Sequence, residues 1–143
     1  MTPDSHRLYE SIILDHNKSP RNYGKPAQAA AAIEAVNPLC GDTFTLYLVA
    51  DGEHITTLSF EGNGCAISKA SASLMTCMLK GKTREAAVAL GNAFESMLQK
   101  EPDAPVNEAL LGDLMAFSGV RAFPMRIKCA VLCWRALLAH LTA

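Results

Sequence analysis

Apolar and polar residues alternate between Thr43 and Glu61, whereas beyond Gly64 the apolar residues recur at helical spacing. Phe44, Leu46, Leu48 and Ala50 fall on one face of a strand over Thr43–Ala50, with Thr45, Tyr47 and Val49 on the other. Asp51-Gly52 signals a tight hairpin, and His54–Glu61 supplies the returning strand with Leu58 and Phe60 on one side. Ala29–Asn37 reads as a further strand ending at Pro38. Ahead of the sheet, Asp4–Asn17 reads as a helix. Thr2 or Ser5 caps it, Pro3 suits an early position, and Leu8, Ile12 and Ile13 form its apolar face. The segment Asn17–Pro26 is a loop dense in chain breakers, carrying Lys18, Arg21 and Lys25. After the sheet, Cys65–Leu79 reads as a helix stopped by Gly81. Thr83 caps a helix running to about Lys100, with Ala86, Leu90, Phe94 and Leu98 on one stripe. A shorter helix over Asn107–Phe117 ends at Ser118-Gly119, and the last runs from near Pro124 to Leu141.

One helix, a small three-stranded antiparallel sheet, then several helices is an α+β order, with the helices packed on one face of the sheet. The 143 residues suffice for one domain, 1–143, with a buried core. Half of them are apolar and 19% charged, the balance of an ordinary globular protein. A net charge of -1 argues against broad electrostatic binding to nucleic acid. No apolar run approaches the roughly 18 residues of a membrane span. The first residues lack the basic-then-apolar pattern of an export signal, so the expected location is cytoplasmic.

Five cysteines in a chain without a small, loop-rich character do not make a disulfide scaffold. Three of them stand beside chain breakers: Cys40-Gly41-Asp42 follows Asn37-Pro38, Cys65 follows Gly62-Asn63-Gly64, and Cys129 follows Phe123-Pro124-Met125-Arg126-Ile127-Lys128. Three thiolates and the Asp42 carboxylate complete a tetrahedral set for a soft-to-borderline metal. His6, His16, His54 and His140 all lie away from these turns, which leaves Asp42 as the fourth ligand. Helix N-termini at Cys65 and Cys129 favour thiolate, and Lys69, Arg126 and Lys128 are placed to offset the site's negative charge. Cys77 and Cys133 read as small core hydrophobes, with Cys129 and Cys133 at i, i+4 as a rival chelating pair. Plainer readings stand beside these: Asp42 as a turn residue, Arg126 and Lys128 as solvated charges. Spacing alone supports a metal site without naming the metal.

The segments Asp15-His16-Asn17-Lys18-Ser19-Pro20-Arg21-Asn22-Tyr23-Gly24, Asn37-Pro38-Leu39-Cys40-Gly41-Asp42, Gly62-Asn63-Gly64-Cys65-Ala66-Ile67-Ser68 and Arg126-Ile127-Lys128-Cys129 resemble, in order, those of the iron-sulfur assembly family. The chain is more similar to its SufU branch than to its IscU branch. Lys128 stands where IscU-type proteins have a histidine before the third cysteine, and 63 residues separate Cys65 from Cys129, more than in that branch. The resemblance implies a SufE/NifU-like α+β fold and a zinc-dependent sulfur acceptor. By that analogy Cys40, Asp42, Cys65 and Cys129 hold Zn2+, and Cys40 receives sulfur from the persulfide of a SufS-type cysteine desulfurase, for delivery to downstream cluster scaffold proteins. A scaffold that itself builds a [2Fe-2S] cluster or holds iron, and a purely structural zinc module, are the alternatives. A zinc hydrolase fits least, since four protein ligands leave no position for water.

Overall fold

The computed structural model describes residues 3–28, 30–39 and 41–143, with side chains from residue 7 onward. Three antiparallel strands lie in the order β1-β2-β3, with β1 at Ala31–Asn37, β2 at Asp42–Asp51 and β3 at His54–Asn63. The alternation along β2 sets the register. Leu46 stands opposite Ile33 and Phe60, Leu48 opposite Ala31 and Leu58, and Phe44 opposite Ala35 and Gly62. Residues directly opposite one another share a face, and Phe44, Leu46, Leu48, Leu58 and Phe60 are all buried. A register shift between Val49 and Ala50 takes Ala50 out of that row and leaves it partly exposed.

The helices cover this apolar face. They are α1 (Pro3–Lys18), α2 (Ala66–Leu79), α3 (Arg84–Leu98), the single turn α4 (Glu108–Leu111) and α5 (Pro124–Leu141), with a 3₁₀ segment over Gly112–Ala122. α2 packs on β3 and α5 on β1 and β2; α1 then lies on α2, and α3 on α5. Rings fill the space between α3, the 3₁₀ segment and α5, where Phe94 meets Phe117 edge-on at 5.8 Å and Trp134 at 5.3 Å. Thr83 caps α3 as expected, its side chain accepting from the Ala86 N–H.

The structure corrects the expected pattern in four places. On α1 the inward stripe is Tyr9, Ile12, Ile13 and His16, while Leu8 is exposed. On α3 it is Ala87 rather than Ala86 that is buried. The helix expected over Asn107–Phe117 stops after one turn, because Gly112 leaves the helical region at φ 53°. The chain continues as a 3₁₀ segment past Ser118-Gly119, and Leu114, Phe117 and Val120 are buried at the three-residue spacing of that helix. Finally, Cys77 is exposed rather than in the core. Cys133, by contrast, is buried as expected, and burial pushes its thiol up to about 12. Thr2 and Ala29 lie outside the described residues, as do the side chain of Ser5 and its capping role. Among the described residues, no helix is long and apolar enough to cross a membrane.

Candidate metal centre

One end of the sheet gathers the site. β2 begins at Asp42, β3 ends at Asn63, Cys65 is the N-cap of α2, and Cys129 lies in the second turn of α5. The sulfurs of Cys65 and Cys129 and a carboxylate oxygen of Asp42 all lie within 4.8 Å of one another. Asp42 and Cys129 are buried and Cys65 is exposed, so the group opens on one side. Cys40 lies outside the described residues. It belongs to the β1–β2 connection two positions before Asp42. There the Gly41 N–H donates to the Asn37 carbonyl at 3.0 Å and the Leu39 N–H to Asn37 Oδ1 at 3.1 Å. Three of the four expected ligands are thus brought together, and among the described residues Cys133 is not part of the group.

Local hydrogen bonds fix the geometry. The Cys65 N–H donates to Asp42 Oδ1 at 3.0 Å, and the Ser68 hydroxyl donates a short bond to Asp42 Oδ2. Cys65 Sγ in turn accepts from the Ser68 N–H at 3.4 Å and lies 3.2 Å from the Ser68 hydroxyl. Ser68 is therefore a site residue that sequence reading left without a role. The signal was present, since it stands three positions after an N-cap, where the cap side chain meets the backbone N–H.

Two glycines admit this packing. Gly62 has φ 138°, and a Cβ there would fall 2.2 Å from the Thr43 carbonyl. A Cβ on Gly64 would fall 2.7 Å from the Phe44 ring and 2.8 Å from Asp42 Oδ1. Gly64→Ala is expected to cost about 1–3 kcal/mol in denaturant unfolding, as overpacked sites do, and to weaken any metal uptake by moving Cys65 away from Asp42. Unchanged stability and uptake in this variant contradict the packing account.

The electrostatics oppose a second thiolate here unless a cation joins it. Burial pushes the Cys129 thiol up to about 12, its hydrogen bond with Cys65 and the charge there push the same way, and the Ser68 hydroxyl pulls it back. Two thiolates beside a buried carboxylate repel unless a positive charge lies among them. Sulfur, sulfur and a carboxylate oxygen suit zinc. Tetrahedral ligands at zinc–sulfur distance lie about 3.8 Å apart, a small contraction of the present group. Asp42 Oδ1 accepts from the Cys65 N–H, and Oδ2 accepts from the Ser68 hydroxyl with Cys65 Sγ 3.9 Å away. The residues present fit the ion.

Of the cations expected to support the site, Arg126 and Lys128 are exposed. The Arg126 guanidinium lies over the Phe123 ring, 4.7 Å from its centroid, and Lys69 Nζ lies 5.6 Å from the centroid of Tyr23. In the 17–25 loop, Arg21 pairs with Asp15 at 2.5 Å, which holds the Asp15 carboxyl below the usual range, while Lys18 and Lys25 are exposed. A cleft of about 690 Å³ opens beside the two thiols, its walls including Ile13, Val120, Phe123 and Arg126.

The family model described as the NifU-like N terminal domain matches residues 8–130. The chain is 45% identical over 131 residues to the zinc-dependent sulfurtransferase SufU of Bacillus subtilis, covering 91% of this chain and 86% of that protein. It is 40% identical over 130 residues to the iron-sulfur cluster assembly scaffold protein IscU of Streptococcus pyogenes, covering 91% and 80%. Among solved structures, it is similar to an iron-sulfur cluster assembly scaffold protein for the SUF system from Fervidobacterium islandicum. The TM-score there is 0.85 at 37% identity, over 96% of this chain and 98% of that one. A NifU-like N-terminal protein from Brucella abortus gives a TM-score of 0.80 at 27% identity, covering 92% and 90%. With this fold, these motifs and these relatives, the chain belongs to the NifU-like N-terminal domain family, among the iron-sulfur cluster assembly proteins of the SufU and IscU type.

Proposed function

We propose that this protein is a zinc-dependent sulfur acceptor that takes persulfide sulfur from a SufS-type cysteine desulfurase, a pyridoxal-phosphate enzyme, in the cytoplasm. The observation that carries the reading is the convergence of Asp42, Cys65 and Cys129 on one point at the sheet's end, next to the connection that bears Cys40. Similarity to a protein named a zinc-dependent sulfurtransferase supports it, as does Lys128 in the place of a histidine. Cys40, Asp42, Cys65 and Cys129 would hold the zinc, which when bound supplies positive charge that keeps thiols ionised at neutral pH.

The chain's own residues divide the work. Ser68 and the Cys65 N–H orient the Asp42 carboxylate, while α2 and α5 tie down Cys65 and Cys129. Cys40 is the acceptor, because its connection is not part of a helix. Its thiolate attacks the outer sulfur of the desulfurase persulfide. A sulfur–sulfur bond forms at Cys40 as the one in the donor breaks, and the electron pair leaves with the donor's thiolate, which then takes a proton. The persulfide on Cys40 passes to a downstream scaffold protein. Arg126 and Lys128 stand close enough in sequence to Cys129 to lend positive charge at the rim.

A second reading, a scaffold for a [2Fe-2S] cluster, draws support from the relatives named IscU at 40% and 35% identity. Metal analysis of the purified protein separates the two, followed by desulfurase turnover with and without it. One equivalent of zinc in a colourless protein that accelerates turnover is the expected result. Iron and sulfide with visible absorption, and no acceleration, would favour the scaffold.

A further inference from the structure

The loop after α1 carries a motif that the sulfur-transfer chemistry leaves unused, and the structure shows it fastened at every step. His16 Nδ1 and Ser73 Oγ share a buried hydrogen bond of 2.7 Å, and the Arg21 N–H donates to the same Ser73 oxygen at 2.8 Å. The Asn22 amide donates to Thr76 Oγ1 at 3.0 Å. The chain then runs parallel to β3, with the Phe60 N–H donating to the Asn22 carbonyl at 3.1 Å and the Gly24 N–H to the Phe60 carbonyl at 2.8 Å.

Among the described strands, β3 lies at the edge of the sheet, beside β2. Phe60 turns its N–H and carbonyl toward the open edge, and in an antiparallel strand the residue two positions on does the same. That residue is Gly62, and there a side chain of the docked loop meets it. The Tyr23 side chain takes over. Its hydroxyl donates to the Gly62 carbonyl at 2.9 Å and lies 3.2 Å from the Gly62 nitrogen, whose N–H it accepts. A single phenol thus stands in for both halves of a missing ladder partner. Its ring is held edge-on against Phe60 at 5.1 Å, and Lys69 lies over it.

We infer that Tyr23 is a positioning residue for the metal centre, holding the open edge of β3 at Gly62, one residue before the strand's final pair Asn63–Thr43, so that the chain beyond it delivers Cys65 to Asp42. Strand ends at a sheet edge fray, and Gly62 has no side chain of its own to pin it. Three residues further on, the Cys65 N–H reaches Asp42 and Gly64 lies against Phe44, so motion at Gly62 passes directly into the ligand set. The inference rests on the zinc reading above.

Tyr23→Phe keeps the ring stack and removes only the hydroxyl. In zinc competition titrations it is expected to weaken affinity about 10–100-fold, the range for residues that hold metal ligands in place. The melting temperature of the zinc-free protein should stay as in wild type. Tyr47→Phe, which removes a hydroxyl bonded to Glu61 on the outer face of the sheet, is expected to change neither quantity. Wild-type affinity in Tyr23→Phe overturns the inference, and so does a lower zinc-free melting temperature with affinity unchanged. Amide exchange in wild-type protein gives an independent reading: zinc should slow Gly62 and Cys65 together, and slowing confined to Cys65 overturns the coupling. A wild-type protein that takes up no zinc overturns the functional reading itself, before any variant is compared.

Discussion

Removing zinc from the purified protein is expected to lower its melting temperature by about 10–20 °C while leaving it folded at room temperature. A ligand present at a thousand times its dissociation constant stabilises the native state by about 4 kcal/mol, and in a chain of this size each kcal/mol moves the midpoint by about 3–5 °C. The effect stops short of unfolding because the site is largely built without the ion. Asp42 already accepts from the Cys65 N–H and the Ser68 hydroxyl, and the ring cluster of Phe94, Phe117 and Trp134 joins α3, the 3₁₀ segment and α5 without any of the three ligands. Zinc would take the place of the proton that burial and Cys65 keep on the Cys129 thiol, and would tie that sulfur to Asp42 and Cys65. Calorimetry before and after chelation, with zinc content measured in both samples, checks this. Identical melting curves in confirmed zinc-free and zinc-loaded protein would count decisively against the centre.

Replacing Cys40 by serine is expected to reduce sulfur acceptance from the desulfurase by at least about a thousandfold, to background. A serine hydroxyl is not ionised at neutral pH and forms no persulfide, so the loss is chemical rather than structural. Zinc binding should fall less steeply, because Asp42, Cys65 and Cys129 remain grouped in this variant. The pair of measurements therefore separates acceptor from ligand. Cys65→Ser is expected to lose both together: serine still caps α2, but a neutral hydroxyl replaces the thiolate that faces Asp42 and Cys129. Labelled cysteine supplied to the desulfurase, with sulfur counted on the acceptor, reads out transfer directly. A Cys40→Ser protein that accepted sulfur at the wild-type rate would remove Cys40 from the mechanism.

The alternation of β2 and the breakers beside three cysteines made the sheet and most of the metal group legible from sequence. Less of α2 was legible, for a physical reason. Its buried positions include Ser68, Ser71, Ser73 and Thr76, which look like a solvent face. Each is satisfied within the fold: Ser68 by Asp42, Ser71 by the Ala130 carbonyl, Ser73 by His16 and Arg21, and Thr76 by the Ser73 carbonyl. All but the last of those partners are distant in sequence, so no local pattern betrays them. Cys77, between Thr76 and Met78, is exposed. The 3₁₀ segment was hidden for the opposite reason. Leu111, Leu114 and Met115 suit an α-helix equally well, and the distinction rests on Gly112 and on the threefold step Leu114, Phe117, Val120.

The separation of the ligand positions along the chain carries a consequence for biosynthesis. Asp42 and Cys65 are joined by the β2–β3 hairpin and can meet early, but Cys129 arrives only on the final helix. A growing chain on the ribosome therefore offers an incomplete grip until its last element has emerged and docked. On the proposed reading, metal capture would be a late event, withheld from half-made polypeptides and granted to those whose C-terminal helix has found its seat.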